Sequence, residues 1–172
     1  RAKPYHAGLT YQERSDNQHD FVYGDTRVIC ATIAFGMGID KPDVRFVMHA
    51  DLPRNLEGYY QETGRAGRDG LPADCILFFS AGDRAKIEHF FEEKSDSERE
   101  LAQWQLSQVI KFAYHTGCRC VPLLGYFGQE HAGKCGHCDN CQQPPELIDV
   151  TQDARKFLSA VARIQQTYGM GY

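Results

Sequence analysis

Gln61-Glu62-Thr63-Gly64-Arg65-Ala66-Gly67-Arg68-Asp69-Gly70 is the stretch on which the reading of this chain turns. It follows Tyr59-Tyr60, which reads as the last turn of a helix over residues 55–63, and precedes an apolar run over residues 74–79 that reads as a buried strand. A loop at such a helix-to-strand junction is a common place for function on a rigid α/β scaffold. Within it, two arginines sit three apart among three glycines. Residues at that spacing point to one side of a backbone turn, and glycine lets the chain approach another surface closely. Arg65 and Arg68 therefore present two planar, permanently charged forks to one anionic target, an arrangement suited to a phosphoryl group. The plain alternative is a surface loop with two exposed salt bridges, which contribute little.

Upstream, Thr10 with Glu13 three residues on forms a capping box, so a helix should run to about Tyr23, where Gly24-Asp25 ends it. Residues 27–32 and 45–50 are apolar and β-branched enough for buried strands. Between them lies a glycine-bearing loop over residues 34–42. Strand, loop, strand, helix, strand is the rhythm of an α/β domain with a mainly parallel sheet. The opening segment is one that ordinarily follows a first strand and helix, so the layout calls for further sequence before Arg1.

Downstream of Ser80-Ala81-Gly82 the composition shifts. Residues 83–94 read as a helix with Ala85, Ile87, Phe90 and Phe91 available for burial. Ser95-Asp96-Ser97 should break it, and Ser97 with Glu100 makes a second capping box. The helix from Glu98 then carries Leu101, Trp104, Leu106, Val109, Ile110 and Ala113. A domain boundary is expected near residues 92–96. Pro144-Pro145 marks a linker, after which Thr151 caps a last helix with Ala154, Phe157, Leu158, Val161 and Ile164 on one face.

The 172 residues leave room for one ordinary domain and something smaller. No apolar run approaches a transmembrane span, and Arg1-Ala2-Lys3-Pro4 does not open a signal peptide. A formal net charge of −4 argues against a domain that coats nucleic acid wholesale, so contact with DNA or RNA must rest on local groups.

Gly36-Met37-Gly38 fails as a dinucleotide fingerprint, because Lys41 stands where a third glycine is needed and Pro42 where a helix should open. Asp40 ends that loop, with a carboxylate that can accept from a sugar hydroxyl or from its own backbone. No phosphate-cradling Gly-x-x-x-x-Gly-Lys-[Ser/Thr] loop occurs anywhere in the chain. Seven cysteines are present, and Cys135, Cys138 and Cys141 fall at successive Cys-x-x-Cys spacing. Three thiolates so placed converge on one zinc ion, with a fourth ligand from Cys118, Cys120, His131 or His137. With four protein ligands such a site is structural, since no position remains open for water. Cys30 and Cys75 fall in predicted strands and read as small buried side chains.

Collected, these features resemble the RecQ family of ATP-dependent DNA helicases over nearly the whole chain. Tyr5-His6-Ala7-Gly8-Leu9, the run from Ala31 to Lys41, and Gln61 to Gly70 are similar to motifs of that family's second RecA-like motor lobe. Leu124-Gly125-Tyr126-Phe127-Gly128 with the cysteine cluster resembles its zinc-binding subdomain, and the run from Phe157 to Tyr172 resembles the start of its winged-helix domain. The resemblance implies an α/β RecA-like lobe over residues 1–93, a mostly helical zinc-binding subdomain over 94–145, and the beginning of a winged helix over 146–172.

It also implies roles by position. Arg65 and Arg68 would contact the γ-phosphate of ATP across the lobe cleft, with Arg68 as the arginine finger. Asp40 would meet the ribose, with Gly38 and Gln61 joining the ATP site, and His6, Gly8 and Thr32 would lie against DNA. Cys118 becomes the fourth zinc ligand beside Cys135, Cys138 and Cys141. Cys120 stands where the family has arginine or an apolar residue, and could compete for the metal. ATP with Mg2+ would be the substrate of the whole enzyme. Single-stranded and forked DNA and the first RecA-like lobe would be its partners, and no membrane is involved. The implied activity is 3′-to-5′ unwinding in repair and recombination, at the nucleoid in a bacterium or in the nucleus of a eukaryote. The ATP-cradling lobe and the main body of the winged helix are not in this sequence, so this stretch alone is expected to be inactive. The alternative from another class is a zinc-stabilised module that binds DNA or a partner protein without motor activity, which leaves Arg65, Arg68 and Asp40 idle.

Overall fold

The computed structural model describes residues 1–32, 35 and 40–168. It opens with a strand that residue patterning does not announce, β1 (Ala2–Tyr5), paired in parallel with β2 (Val28–Ala31). Pro4 removes one ladder donor, which suits the short, partly exposed run. Parallel neighbours need a crossover, and α1 (Tyr11–Tyr23) supplies it. Its start is the predicted capping box. The Thr10 hydroxyl accepts the Glu13 N–H at 3.2 Å, and the Glu13 carboxylate accepts the Thr10 N–H at 2.8 Å. Gly24 closes the helix by donating its N–H to the Asp20 carbonyl.

A second strand–helix–strand unit follows in β3 (Phe46–His49), α2 (Leu56–Thr63) and β4 (Asp74–Leu77). Phe46 faces Asp74 and His49 faces Leu77, again in parallel. The Asn55 side chain caps α2 by accepting the Gly58 N–H at 2.8 Å. The strands expected over 27–32, 45–50 and 74–79 all form, trimmed at their ends. The α/β reading holds, and every strand pair among the described residues is parallel, as two pairs rather than one sheet. The Lys41 ammonium, 5.6 Å above the Phe21 ring, links the two units. Cys30 and Cys75 are exposed, contrary to their expected burial. Two-stranded ribbons have no inner strand covered on both faces, so a small side chain in a strand is not thereby enclosed.

The remaining elements are helical. α3 (Asp83–His89) stops short of the expected end at Lys94, leaving Phe90 exposed and Phe91 buried. The turn after it is held by Arg99, whose guanidinium donates to the carbonyls of Phe91, Glu92 and Lys94. α4 (Asp96–Tyr114) is capped by Ser95 with Glu98, not by Ser97 with Glu100. Both serines have a glutamate three residues on, but only Ser95 leaves Asp96 and Glu98 together in the first turn, where the helix dipole favours negative charge. α5 (Cys120–Tyr126), α6 (Asp139–Gln142) and α7 (Thr151–Tyr168) complete the elements of the described residues. Thr151 is the first helical residue of α7 rather than its cap. The Asp149 carboxylate accepts its N–H at 2.9 Å, and the Val150 carbonyl accepts that of Ala154. Phe157 and Leu158 on α7 remain exposed. No helix among the described residues is long and apolar enough to cross a membrane.

The main core joins Leu52, Leu56, Tyr59, Ile87, Phe91, Leu106, Val109 and Phe112. Burying each such side chain contributes about 1.5–3 kcal/mol. On α4 the inward side chains are Leu106, Val109 and Phe112, while Leu101 and Trp104 stay more than half exposed. The core draws residues from both sides of the boundary expected near residues 92–96, so α2 and α4 share one interior. Tyr126 on α5 adds a polar tie, donating its hydroxyl to the Glu57 carboxylate of α2 at 2.6 Å. Burial and that neighbouring carboxylate push the Tyr126 phenol up to about 12.

Candidate functional site

The arginine-bearing loop leaves α2 at Gly64 and is fastened to the segment before β3. Gly67 donates its N–H to the Val44 carbonyl at 3.0 Å, and Asp69 donates to Pro42 at 3.2 Å. Arg45 reaches across from the start of β3, with Nη2 2.6 Å from both Asp69 oxygens and Nη1 donating to Pro72 at 3.1 Å. Arg45 holds the Asp69 carboxyl below the usual carboxylate range. Gly67 has φ +65°, and a Cβ there would lie 2.8 Å from the Leu71 carbonyl, so the turn requires glycine.

This fastening brings two of the sequence candidates together. Arg68 Nη1 lies 3.7 Å from the Asp40 carboxylate, and Arg68 Nε donates to the Gly64 carbonyl at 3.3 Å. The Asp40 carboxylate is 94% exposed, so this pair presents itself to solvent rather than closing a core. Arg65 is half-buried beside it in the same loop, and Gln61 is exposed in the last turn of α2. Gly38 lies outside the described residues.

Behind the loop, the Glu62 carboxylate accepts from His49 Nε2 at 2.6 Å. The Tyr59 ring lies tilted against His49, 5.2 Å between centroids, and against Phe112, 5.1 Å away, its phenol pushed up to about 12 by burial. α2, which carries the loop, is thus bedded on β3 and on α4. The His49–Glu62 and Arg45–Asp69 ties escaped the sequence reading. They connect residues 13 and 24 apart with no local spacing rule to mark them.

His6, Gly8 and Thr32 meet at the carboxyl end of the first parallel pair. Thr32 donates its N–H to the Tyr5 carbonyl at 3.1 Å. His6 Nδ1 accepts the Gly8 N–H at 3.2 Å, and a Cβ on Gly8 would come within 3.1 Å of that nitrogen. The carboxyl ends of strands are where α/β sheets place ligands.

The cysteines converge in the helical part. The Sγ atoms of Cys118, Cys135, Cys138 and Cys141 lie within 4.8 Å of one another, with Cys118 buried. A tetrahedral zinc with bonds of about 2.3 Å sets its sulfurs about 3.8 Å apart, so this donor set fits that ion with small adjustments. The Cys135 N–H donates to Cys118 Sγ and the Cys138 N–H to Cys135 Sγ, both at 3.3 Å. Burial pushes the Cys118 thiol up, but hydrogen bonds from Cys135 and Cys120 outweigh it and leave the thiol below its ordinary value. Cys135 is likewise lowered, first by its hydrogen bond from the His137 backbone. Cys120, beside them, is pushed up to about 12 by burial and by its thiol neighbours.

Two clasps hold this centre to the end of α4. Arg119 pairs with the Asp139 carboxylate at 2.8–2.9 Å and donates to the Phe112 and Ala113 carbonyls at 2.8 and 3.1 Å. Asn140 donates to the His115 and Gly117 carbonyls at 2.7 and 2.8 Å. The Arg119 donors satisfy carbonyls in the last turn of α4 that a helix leaves open, and Asn140 holds the segment that follows the helix. Contacts therefore run from the cysteines through Arg119, Phe112 and Tyr59 to α2 and the arginine loop.

Two protein families match the sequence, the helicase conserved C-terminal domain over residues 1–70 and the RecQ zinc-binding domain over residues 81–142. Over 172 residues the chain is 45% identical to the ATP-dependent DNA helicase RecQ of Pasteurella multocida, covering 99% of this chain and 27% of that protein. It is 40% identical to the Bacillus subtilis ATP-dependent DNA helicase RecQ, covering 98% of this chain and 29% of that one. It is 44% identical to the ATP-dependent helicase SGS1 of Saccharomyces cerevisiae, covering 94% and 12%. The chain thus spans less than a third of the length of these relatives.

Proposed function

The chain belongs to the RecQ family of helicases, with a cysteine centre built for structural zinc, and from that premise we propose that it supplies the arginine-bearing second motor lobe of an ATP-dependent 3′-to-5′ DNA helicase. In this reading residues 1–93 form the lobe, 94–145 the zinc-binding subdomain, and 146–172 the beginning of a winged helix. ATP and Mg2+ bind between this lobe and a first RecA-like lobe that carries the phosphate cradle. Arg68 and Arg65 meet the γ-phosphoryl group, Asp40 the ribose, and Gly38 and Gln61 the rest of the nucleotide. His6, Gly8 and Thr32 lie against the backbone of single-stranded or forked DNA. Zinc is held by Cys118, Cys135, Cys138 and Cys141, and serves to fasten the helical subdomain.

The observation that carries this reading is the juxtaposition of Arg68 with Asp40 on an exposed edge, in a loop fixed from three directions. Two backbone bonds to residues 42–44 and the Arg45 guanidinium hold the loop in one conformation. Rigid positioning of charge is what phosphoryl transfer asks of a protein, because its catalysis is almost wholly orientation and electrostatic stabilisation. Nucleotide between the lobes draws the arginines in, hydrolysis releases them, and the lobes close and open along the strand.

The test is DNA-stimulated ATP hydrolysis and strand separation by the full-length protein, compared with Arg65→Ala/Arg68→Ala. Loss of both activities, with single-stranded DNA binding retained, supports the motor reading. Turnover equal to the parent's in the double variant overturns it and leaves a zinc-stabilised binding module.

A further inference from the structure

The four-cysteine set does not exhaust the soft ligands at the centre. The Sγ atom of Cys120 lies within 4.8 Å of Cys118 Sγ in a group with His131, and within 4.8 Å of Cys135 Sγ in a group with His137. Cys118 and Cys135 are also within 4.8 Å of each other. Cys118, Cys120 and Cys135 therefore form a triangle that shares one edge with the tetrahedral set. Two imidazoles lie on the Cys120 side. His137 Nδ1 meets the Cys135 carbonyl at 2.9 Å, and His131 Nδ1 accepts the Gly133 N–H at 3.1 Å, so each ring has its other nitrogen available.

We propose that this centre is a two-metal site, in which a second zinc or other soft divalent cation shares the Cys118 and Cys135 sulfurs with the first. Cys120 and one of the two histidines complete four-coordination for the second ion. The inference rests on the zinc reading of the four-cysteine set and extends it. The chemistry is that of thiolate ligation, in which a sulfur carries more than one lone pair and can bond two ions at once. Four thiolates on one divalent ion leave roughly two negative charges at the centre, which favours a second cation at the shared edge. Imidazole and thiolate are both suited to zinc. A single zinc uses four of the seven soft donors gathered here and leaves Cys120 outside its coordination shell. The second ion accounts for its placement.

Native mass spectrometry of the purified chain, incubated with a small excess of Zn2+ and desalted, reads the stoichiometry directly. A parallel preparation with Cd2+ removes dependence on one metal. Two ions per chain are expected in the parent and one in Cys120→Ala. X-ray absorption should show a metal–metal scattering path in the parent that is absent from Cys120→Ala. His131→Ala and His137→Ala identify the nitrogen ligand, since one of them should fall to a single ion. One ion in the parent overturns the two-metal site and leaves the four-cysteine site standing. Two ions in both the parent and Cys120→Ala also overturn it, because the second then binds elsewhere. No ion in the parent sinks the four-cysteine reading as well, so the two failures are distinct.

Discussion

Arg45 and Asp69, 24 residues apart, are joined through a single guanidinium nitrogen placed 2.6 Å from both carboxylate oxygens. That contact spans the opening of β3 and the far end of the arginine loop. It fixes the side of the loop opposite α2, so that Arg68 is approached from Gly64 at one end and from Asp69 at the other. The pair is partly exposed and contributes little to global stability. Its effect should instead fall on where Arg68 points.

Asp69→Asn keeps the size and one acceptor oxygen but removes the charge. In the full-length protein its unfolding midpoint should stay close to the parent's. ATP turnover should fall about tenfold or more, because misplacing a reacting group by about an ångström costs on the order of a hundredfold. Steady-state ATPase beside a thermal melt checks both halves. An unchanged rate would show that Arg45 and Asp69 do not position the loop.

The start of α4 gives a second test. Ser95→Ala should destabilise the protein by about 1 kcal/mol, while Ser97→Ala should change little. Glu98 is held below its ordinary value of 4.5, first by the Ser95 hydroxyl and then by the Ser95 N–H. A carboxylate lowered in the folded state contributes stability that is fully present above its unfolded value and is lost as pH falls through its folded value. The difference between parent and Ser95→Ala should therefore be full at neutral pH and shrink below pH 4.5. Denaturant titrations at pH 7 and pH 3.5 measure it.

How far the sequence could be read depended on the range of each interaction. The Thr10–Glu13 box and the Cys135–Cys138–Cys141 spacing are local rules, and both stand in the structure as read. β1 has no local signal, since four residues ending in Pro4-Tyr5 show no alternation, and its strand character comes from pairing with β2. The cap of α4 falls at Ser95, two residues before the expected Ser97, because both serines carry the same local signal. Cys30 and Cys75 sit in apolar strand-like runs yet are exposed, because burial depends on what covers the sheet. Of the site, Arg68 and Asp40 were legible as types suited to a nucleotide. Their proximity depends on the Gly67–Val44 and Asp69–Pro42 bonds, which no spacing in the sequence encodes.

Metal removal should reach further than the subdomain that holds the metal. Cys138→Ser takes one sulfur from the four-cysteine set, and the purified chain should lose its zinc. Arg119 and Asn140 would then hold a loop with nothing at its centre, and the C-terminal half of α4 should open with α5. Because α4 shares its interior with α2, protection should also fall over α2 and the arginine loop. β1, α1 and β2 take no part in that core and should keep theirs. Hydrogen exchange resolved by peptide, with metal content measured on the same sample, separates these regions. Full protection of residues 56–70 in metal-free protein would contradict the coupling from the cysteines to the loop.

The sharpest division between the motor and binding readings lies at Arg68. In the full-length protein Arg68→Ala should leave ATP binding nearly intact, because in the proposed arrangement the phosphates are held mainly by the other lobe. Hydrolysis should fall by orders of magnitude, since arginines that meet charge developing on a departing phosphoryl group contribute roughly 10³ to 10⁵ in rate. Arg68→Lys should recover little, because an ammonium is a point charge and cannot reproduce the planar fork. Fold loss is the competing explanation, and the structure argues against it. Arg68 is 41% exposed, it touches the Gly64 carbonyl and the 94%-exposed Asp40 carboxylate, and the loop is fastened by other residues. A melt of Arg68→Ala matching the parent, with nucleotide affinity preserved and turnover lost, is the expected set of results. Near-normal DNA-stimulated turnover in Arg68→Ala would pass the role to Arg65, and the same result in Arg65→Ala/Arg68→Ala would remove it from this loop.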